Sequence, residues 1–165
     1  MTEHNDTPEL KAAKPQAVGF QRSLKGRALR YLALREHSRQ ELERKLKVFE
    51  ETPGELAKAL DELAAKGFID EQRMVESVVN SRSRKLGASR VRQELQAKGL
   101  PAEAIAEAVQ TMRSTELERA REIWRKKFGV PPADASARIK QVRFLISRGF
   151  AADVVRKVVA GAEDL

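Results

Sequence analysis

The sequence predicts an all-α fold made of three tandem three-helix modules, each resembling a helix-turn-helix unit. Three observations carry that expectation. The composition favours helices: Ala, Leu, Glu, Lys and Arg are abundant, and Trp124, Tyr31 and six Phe are the only aromatics in 165 residues. Helical apolar spacing recurs along the chain with short breaks, and no segment alternates with period two between hairpin turns. Apolar positions also return in register about every 50 residues.

Residues 1–20 hold Pro8, Pro15 and many polar residues without apolar periodicity, and read as a disordered tail. The modules are expected over 21–68, 69–112 and 113–165. In the first, Leu24, Ala28, Leu29, Leu32 and Leu34 sit at helical spacing. Ser38 and Glu41 form a capping box that opens a helix with Leu42, Leu46 and Phe49 on one face. Thr52-Pro53-Gly54-Glu55 reads as the next start, with Thr52 capping and Pro53 in the first position. Leu56, Leu60 and Leu63 follow, and Gly67 stops that helix.

The second module repeats the order. Residues 70–85 form a helix with Met74, Val75, Val78 and Val79 inward, Asp70 being its N-cap. Residues 89–98 carry Val91 and Leu95, and Pro101 starts a helix with Ile105 and Val109. The third module runs through 115–128 (Leu117, Ala120, Ile123, Trp124), 135–148 (Ile139, Val142, Leu145, Ile146) and 151–160 (Val154, Val155, Val158).

The register of the repeat is specific. Leu95-Gln96-Ala97-Lys98-Gly99-Leu100 falls on Leu145-Ile146-Ser147-Arg148-Gly149-Phe150, and Leu42 and Leu46 fall on Val91 and Leu95. A glycine after a Lys or Arg suits a helix C-terminus, where the left-handed conformation needs no Cβ and a cation complements the dipole. Modules of this kind must share their apolar faces with internal partners and neighbours.

Charge follows the same period. The formal net charge of +8 favours an anionic partner, nucleic acid first, against the plainer alternative of a basic solvated surface. Residues 22–47, 82–98 and 119–148 are basic, and 50–76 and 99–118 are acidic. The first two helices of each module are thus cationic. If modules stack in register, those helices line up as a stripe. The candidate contacts are Arg27, Arg30 and Arg39; Arg82, Arg84, Lys85, Arg90 and Arg92; and Arg125, Lys126, Lys140 and Arg143. The run from Arg82 to Arg92, broken at Gly87, contains no acid.

Several chemistries are not expected. There is no cysteine, so disulfides and thiolate catalysis are excluded. No Gly-rich phosphate loop occurs, and no nucleophile–base pair is apparent. Only His4 and His37 are histidines; His37, in the loop before Ser38, is expected to be exposed, and a metal site is not expected. Trp124 and Tyr31 are expected to pack rather than stack on bases. No cofactor is expected. The polar start suggests no signal peptide, and no apolar run is long enough to span a membrane, so a soluble, monomeric, cytoplasmic protein is the expectation.

Four stretches carry a family resemblance: Arg27 to Leu46 (RALRYLALREHSRQELERKL), Leu63 to Val75 (LAAKGFIDEQRMV), Arg82 to Leu100 (RSRKLGASRVRQELQAKGL) and Arg143 to Phe150 (RFLISRGF). In this order and spacing the chain resembles the RecX regulators of the RecA recombinase over about residues 24–160. The resemblance implies three-helix repeats in an elongated, curved array. It implies binding along the groove of the RecA filament on single-stranded DNA. It further implies modulation, mostly inhibition, of recombination, ATP hydrolysis and co-protease activity in DNA repair and the SOS response. It supplies no catalytic residues, so a non-enzyme is expected. The alternative is a sequence-nonspecific DNA-binding protein acting directly through its basic helices; a third is an adaptor unrelated to DNA.

Overall fold

The structure, a computed structural model, describes residues 23–161, all of whose regular elements are helical. The expected disordered tail, 1–20, lies outside the described residues. The helices are α1 (Leu24–Leu34), α2 (Arg39–Leu46), α3 (Glu55–Ala65), α4 (Glu71–Arg82), α5 (Ala88–Ala97), α6 (Ala102–Ser114), α7 (Glu116–Lys127), α8 (Ala135–Ser147) and α9 (Ala152–Gly161), with a 3₁₀ turn at Lys47–Phe49 after α2.

Three helices at a time enclose a separate core. The first gathers Leu24, Ala28, Leu42, Leu46, Leu56, Leu60, Leu63 and Ile69. The second is built on Met74, Val78, Val91, Leu95, Leu100, Ile105 and Val109. The third holds Ala120, Trp124, Leu145, Phe150, Val155, Val158 and Val159. The helices therefore do not merge into one bundle. A core of this size gains its stability from fully buried leucines, each of which costs about 2–5 kcal/mol when cut to alanine.

Local signals explain most boundaries. Ser38 accepts from Glu41 N while the Glu41 carboxylate accepts from Ser38 N, so the capping box forms as expected. Asp70 accepts from Arg73 N and caps α4. At Gly67, with φ +80, Phe68 N donates back to Leu63 O and closes α3.

Elsewhere tertiary context overrides the pattern. Thr52 does not cap α3. Gly54, at φ +89, takes the N-cap position, and the Glu50 carboxylate accepts from Gly54 N and Leu56 N instead. Phe49 leaves the Leu42–Leu46 face because the chain tightens into the 3₁₀ turn, where its ring lies 3.7 Å under the Arg27 guanidinium. Leu34 ends α1 in solvent, 82% exposed. On α8, Ile139 and Ile146 face out, and Gln141 takes the inward place beside Leu145. The reason is Trp124: its buried indole N–H donates to Gln141 Oε1 at 2.8 Å, a partner that an aliphatic side chain would not supply.

Candidate functional site

The modules join in series by one repeated device. The first turn of one second helix sits on the last turn of the next module's second helix. Between modules 1 and 2, Ser38 Oγ donates to Lys98 O, Arg44 Nη1 donates to Ala97 O at 3.3 Å, and Lys98 Nζ pairs with Glu41 at 2.9 Å. The Gln40 side chain fills the space that a Cβ on Gly99 would need. Between modules 2 and 3, Gly87 N donates to Arg148 O at 2.8 Å, Ser89 N to Gly149 O at 3.3 Å, and Arg90 Nη1 to Ser147 O at 3.0 Å. A Cβ on Gly87 would lie 2.4 Å from the Gly149 carbonyl carbon.

The Lys98-Gly99 and Arg148-Gly149 pairs that mark the repeat in sequence are thus the two seats of the array. Each junction sets the positive end of one helix dipole against the negative end of another, which is the favourable sense. α2, α5 and α8 thus follow one another in series, the start of each of the first two against the end of the next.

The second junction has two further supports that sequence reasoning missed. Gly87 has no side chain to cap α5; Glu116, at the start of α7, accepts from Ala88 N at 3.0 Å and caps it from the next module. Arg119 reaches back to Ser83 O, Leu86 O and Met112 O, and burial lowers its pKa. Both residues read as ordinary members of a charged helix, because the partners that bind them across the junction lie 28 or more positions away on other elements. Only the break in the basic run at Gly87 hinted at a close approach there.

His37, expected in solvent, is 2% exposed. Its ring packs against Tyr31, with Nδ1 3.0 Å from Arg35 O and Nε2 3.3 Å from Lys45 Nζ. The carbonyl can only accept and the ammonium can only donate, so the ring is neutral with its proton on Nδ1. Burial lowers its pKa, and the nearby Arg35 and Lys45 charges add to that against the hydrogen bond to Arg35 O. Burial raises the Glu41 carboxyl, but the hydrogen bonds from Lys98 and Ser38 outweigh it, and the net shift is downward.

The candidate cations divide into two sets. Arg39 is held by Glu43 at 3.1 Å and Asp61 at 2.6 Å; Arg82 pairs with Glu94; Arg125 and Lys126 share Glu122. Arg27 lies on Phe49, and Arg90 is engaged at the junction. Arg30, Arg84, Lys85, Arg92, Lys140 and Arg143 have no carboxylate within ion-pair distance among the described residues. These six are distributed over all three modules. All but Arg92, which is partly covered, are exposed. Within the described residues no group of His, Asp or Glu is placed to hold a metal ion, and no helix is long and apolar enough to cross a membrane.

Comparison with known proteins matches this architecture module by module. Residues 25–68, 70–109 and 114–159 match the family models described as the first, second and third three-helix domains of RecX. The regulatory protein RecX of Leptothrix cholodnii is 55% identical over 143 residues, 87% of this chain and 91% of that one. That of Ralstonia pickettii is 44% identical over 87% of this chain and 90% of its own. A crystal structure of RecX from Lactobacillus salivarius superposes with a TM-score of 0.73 at 17% identity, covering 86% of this chain and 96% of that one, and shows the same fold. With all three of its helical modules matched in order, the chain belongs to the RecX family of regulatory proteins.

Proposed function

We propose that this protein binds along the RecA filament on single-stranded DNA and modulates, mostly inhibiting, its recombinase, ATPase and co-protease activities in DNA repair. It acts without catalysis of its own, as a cytoplasmic monomer. The observation that carries this reading is the serial array with unpaired cations on every module. An extended, repeating target offers an equivalent anionic surface at successive positions. A rigid series of modules can then add weak contacts through high effective concentration. Binding to free RecA protomers engages fewer contacts and is expected to be much weaker.

The test is RecA-driven ATP hydrolysis on single-stranded DNA, with this protein at substoichiometric ratios. Inhibition well below one molecule per RecA protomer is the expected result. An unchanged rate at equimolar protein would overturn the proposal.

The unpaired Arg84, Lys85 and Arg92 favour a second reading, direct sequence-nonspecific grip on DNA phosphates. That mode predicts affinity for bare DNA that falls linearly in log–log plots against salt, with a slope near −0.7 per phosphate contacted on single strands. A shallow salt dependence on filament, with weak binding to bare DNA, favours docking on protein.

A further inference from the structure

Each internal junction seats a helix start on the last turn of a second helix. At the outer end of module 1 the same place, the last turn of α2, has no occupant among the described residues. Here α2 passes into the 3₁₀ turn, and a pocket of about 480 Å³ opens between that turn and α1. Arg27, Arg30, Tyr31, Leu34, Leu46 and Phe49 line it.

Two properties set this pocket apart. It is apolar and open: Leu34 is 82% exposed, and Val48, beside Phe49, is 80% exposed. The middle module exposes no large apolar side chain in this way. It is also cationic without compensation. Arg30 has no ion-pair partner among the described residues, Arg27 Nε is buried without a hydrogen-bond partner, and no carboxylate lines the walls. A buried donor left unpaired is unfavourable, and a ligand that satisfies it gains by doing so.

We propose that this pocket docks a short acidic–apolar peptide segment of a partner protein. One carboxylate pairs with Arg27 and Arg30, and one large apolar side chain lies between Leu34 and Phe49. Charge complementarity selects the carboxylate. Arg27 already covers a face of Phe49 and Lys45 a face of Tyr31, so the open apolar wall is Leu34, which favours a peptide side chain over the phosphates and sugars of a nucleic-acid strand. The molecule contains its own precedent: the seated turn of α2 presents Glu41 to Lys98 at the end of α5. This site needs neither DNA nor RecA and stands independently of the filament reading.

The test uses the full chain alone and a fluorescein-labelled peptide of three aspartates followed by leucine and phenylalanine, with binding read by fluorescence anisotropy. Saturable binding is expected, weakened at least tenfold by Arg30→Glu and by Leu34→Asp. Both positions are exposed, so helicity by circular dichroism stays unchanged. Val130→Asp, on the opposite terminal module, leaves the affinity as it was. Absence of saturable binding, or an affinity in either pocket variant equal to that of the unaltered chain, overturns the proposal. So does a tenfold gain in affinity on removing residues 1–22, which would make the chain's own N-terminal segment the occupant. Displacement of the peptide by oligothymidylate at lower concentration than by unlabelled peptide would assign the pocket to nucleic acid instead.

Discussion

His37 and Glu41 lie within one turn of each other and give the first module a defined response to acid. The folded chain holds His37 below 6.5, so as pH falls through 6.5 the unfolded chain takes up a proton that the folded chain refuses. Stability therefore declines from about pH 6.5 down to the folded pKa. Glu41 acts at lower pH: its contribution is complete above 4.5 and is lost as pH falls through its depressed folded pKa. Urea unfolding from pH 7 down to about pH 2.5 should show two acid limbs. His37→Gln should flatten the upper limb and keep the lower one; an unaltered upper limb would show that His37 does not titrate this way. Glu116 is the other residue whose loss has a clear price in stability. Glu116→Ala leaves Ala88 N buried without an acceptor and should cost about 1–3 kcal/mol in urea unfolding. The Ala88 amide should exchange faster in the variant; unchanged protection would remove Glu116 as the cap of α5.

At the scale of elements, the second helices do two jobs. Each fills the core of its own module and supplies the seat or the seated turn of a junction. Gly87 separates these jobs. Its φ is −80, an angle any residue adopts, so Gly87→Ala adds no backbone strain. Its methyl would nevertheless sit 2.4 Å from the Gly149 carbonyl carbon, against backbone that has nowhere to move. The expected outcome is parting of modules 2 and 3 with each core intact. Small-angle scattering should report a larger radius of gyration while the circular dichroism spectrum stays the same. An unaltered radius would mean that the junction absorbs a methyl group and is not closely fitted. The junctions also occupy two basic residues: Arg119 donates to the Ser83, Leu86 and Met112 carbonyls, and Arg90 donates to that of Ser147.

For the whole molecule, the division of the cations matters more than their number. The run from Arg82 to Arg92 contains no acid of its own. The fold pairs Arg82 with Glu94 and ties Arg90 to Ser147 O, which leaves Arg84, Lys85 and Arg92 for a partner. A charge reversal at Arg90 would disturb the junction as well as any contact. Arg84→Glu combined with Arg92→Glu is the cleaner probe. It should keep the melting curve within the range of ordinary surface substitutions, about ±0.5 kcal/mol each. It should also weaken inhibition of RecA-driven ATP hydrolysis at least tenfold. Full inhibition by a folded double variant would remove this stretch from the binding surface.

Though Phe49, Ile139 and Ile146, placed inward by spacing, face out, the sequence by itself determined the helices, their grouping in threes and most residues of each core. Those depend on interactions spanning three to five positions, such as the Ser38–Glu41 box and the Leu56–Leu60–Leu63 spacing, and on a repeat that is visible by alignment of the chain with itself. The tertiary structure alone decided which charges are spent and which are free, that His37 is buried, and that Glu50 rather than Thr52 caps α3. Each of these depends on a neighbour brought close by the fold or by a turn. Burial, desolvation and ion pairing are set by what lies within a few ångströms in space, and linear spacing along the chain does not encode it.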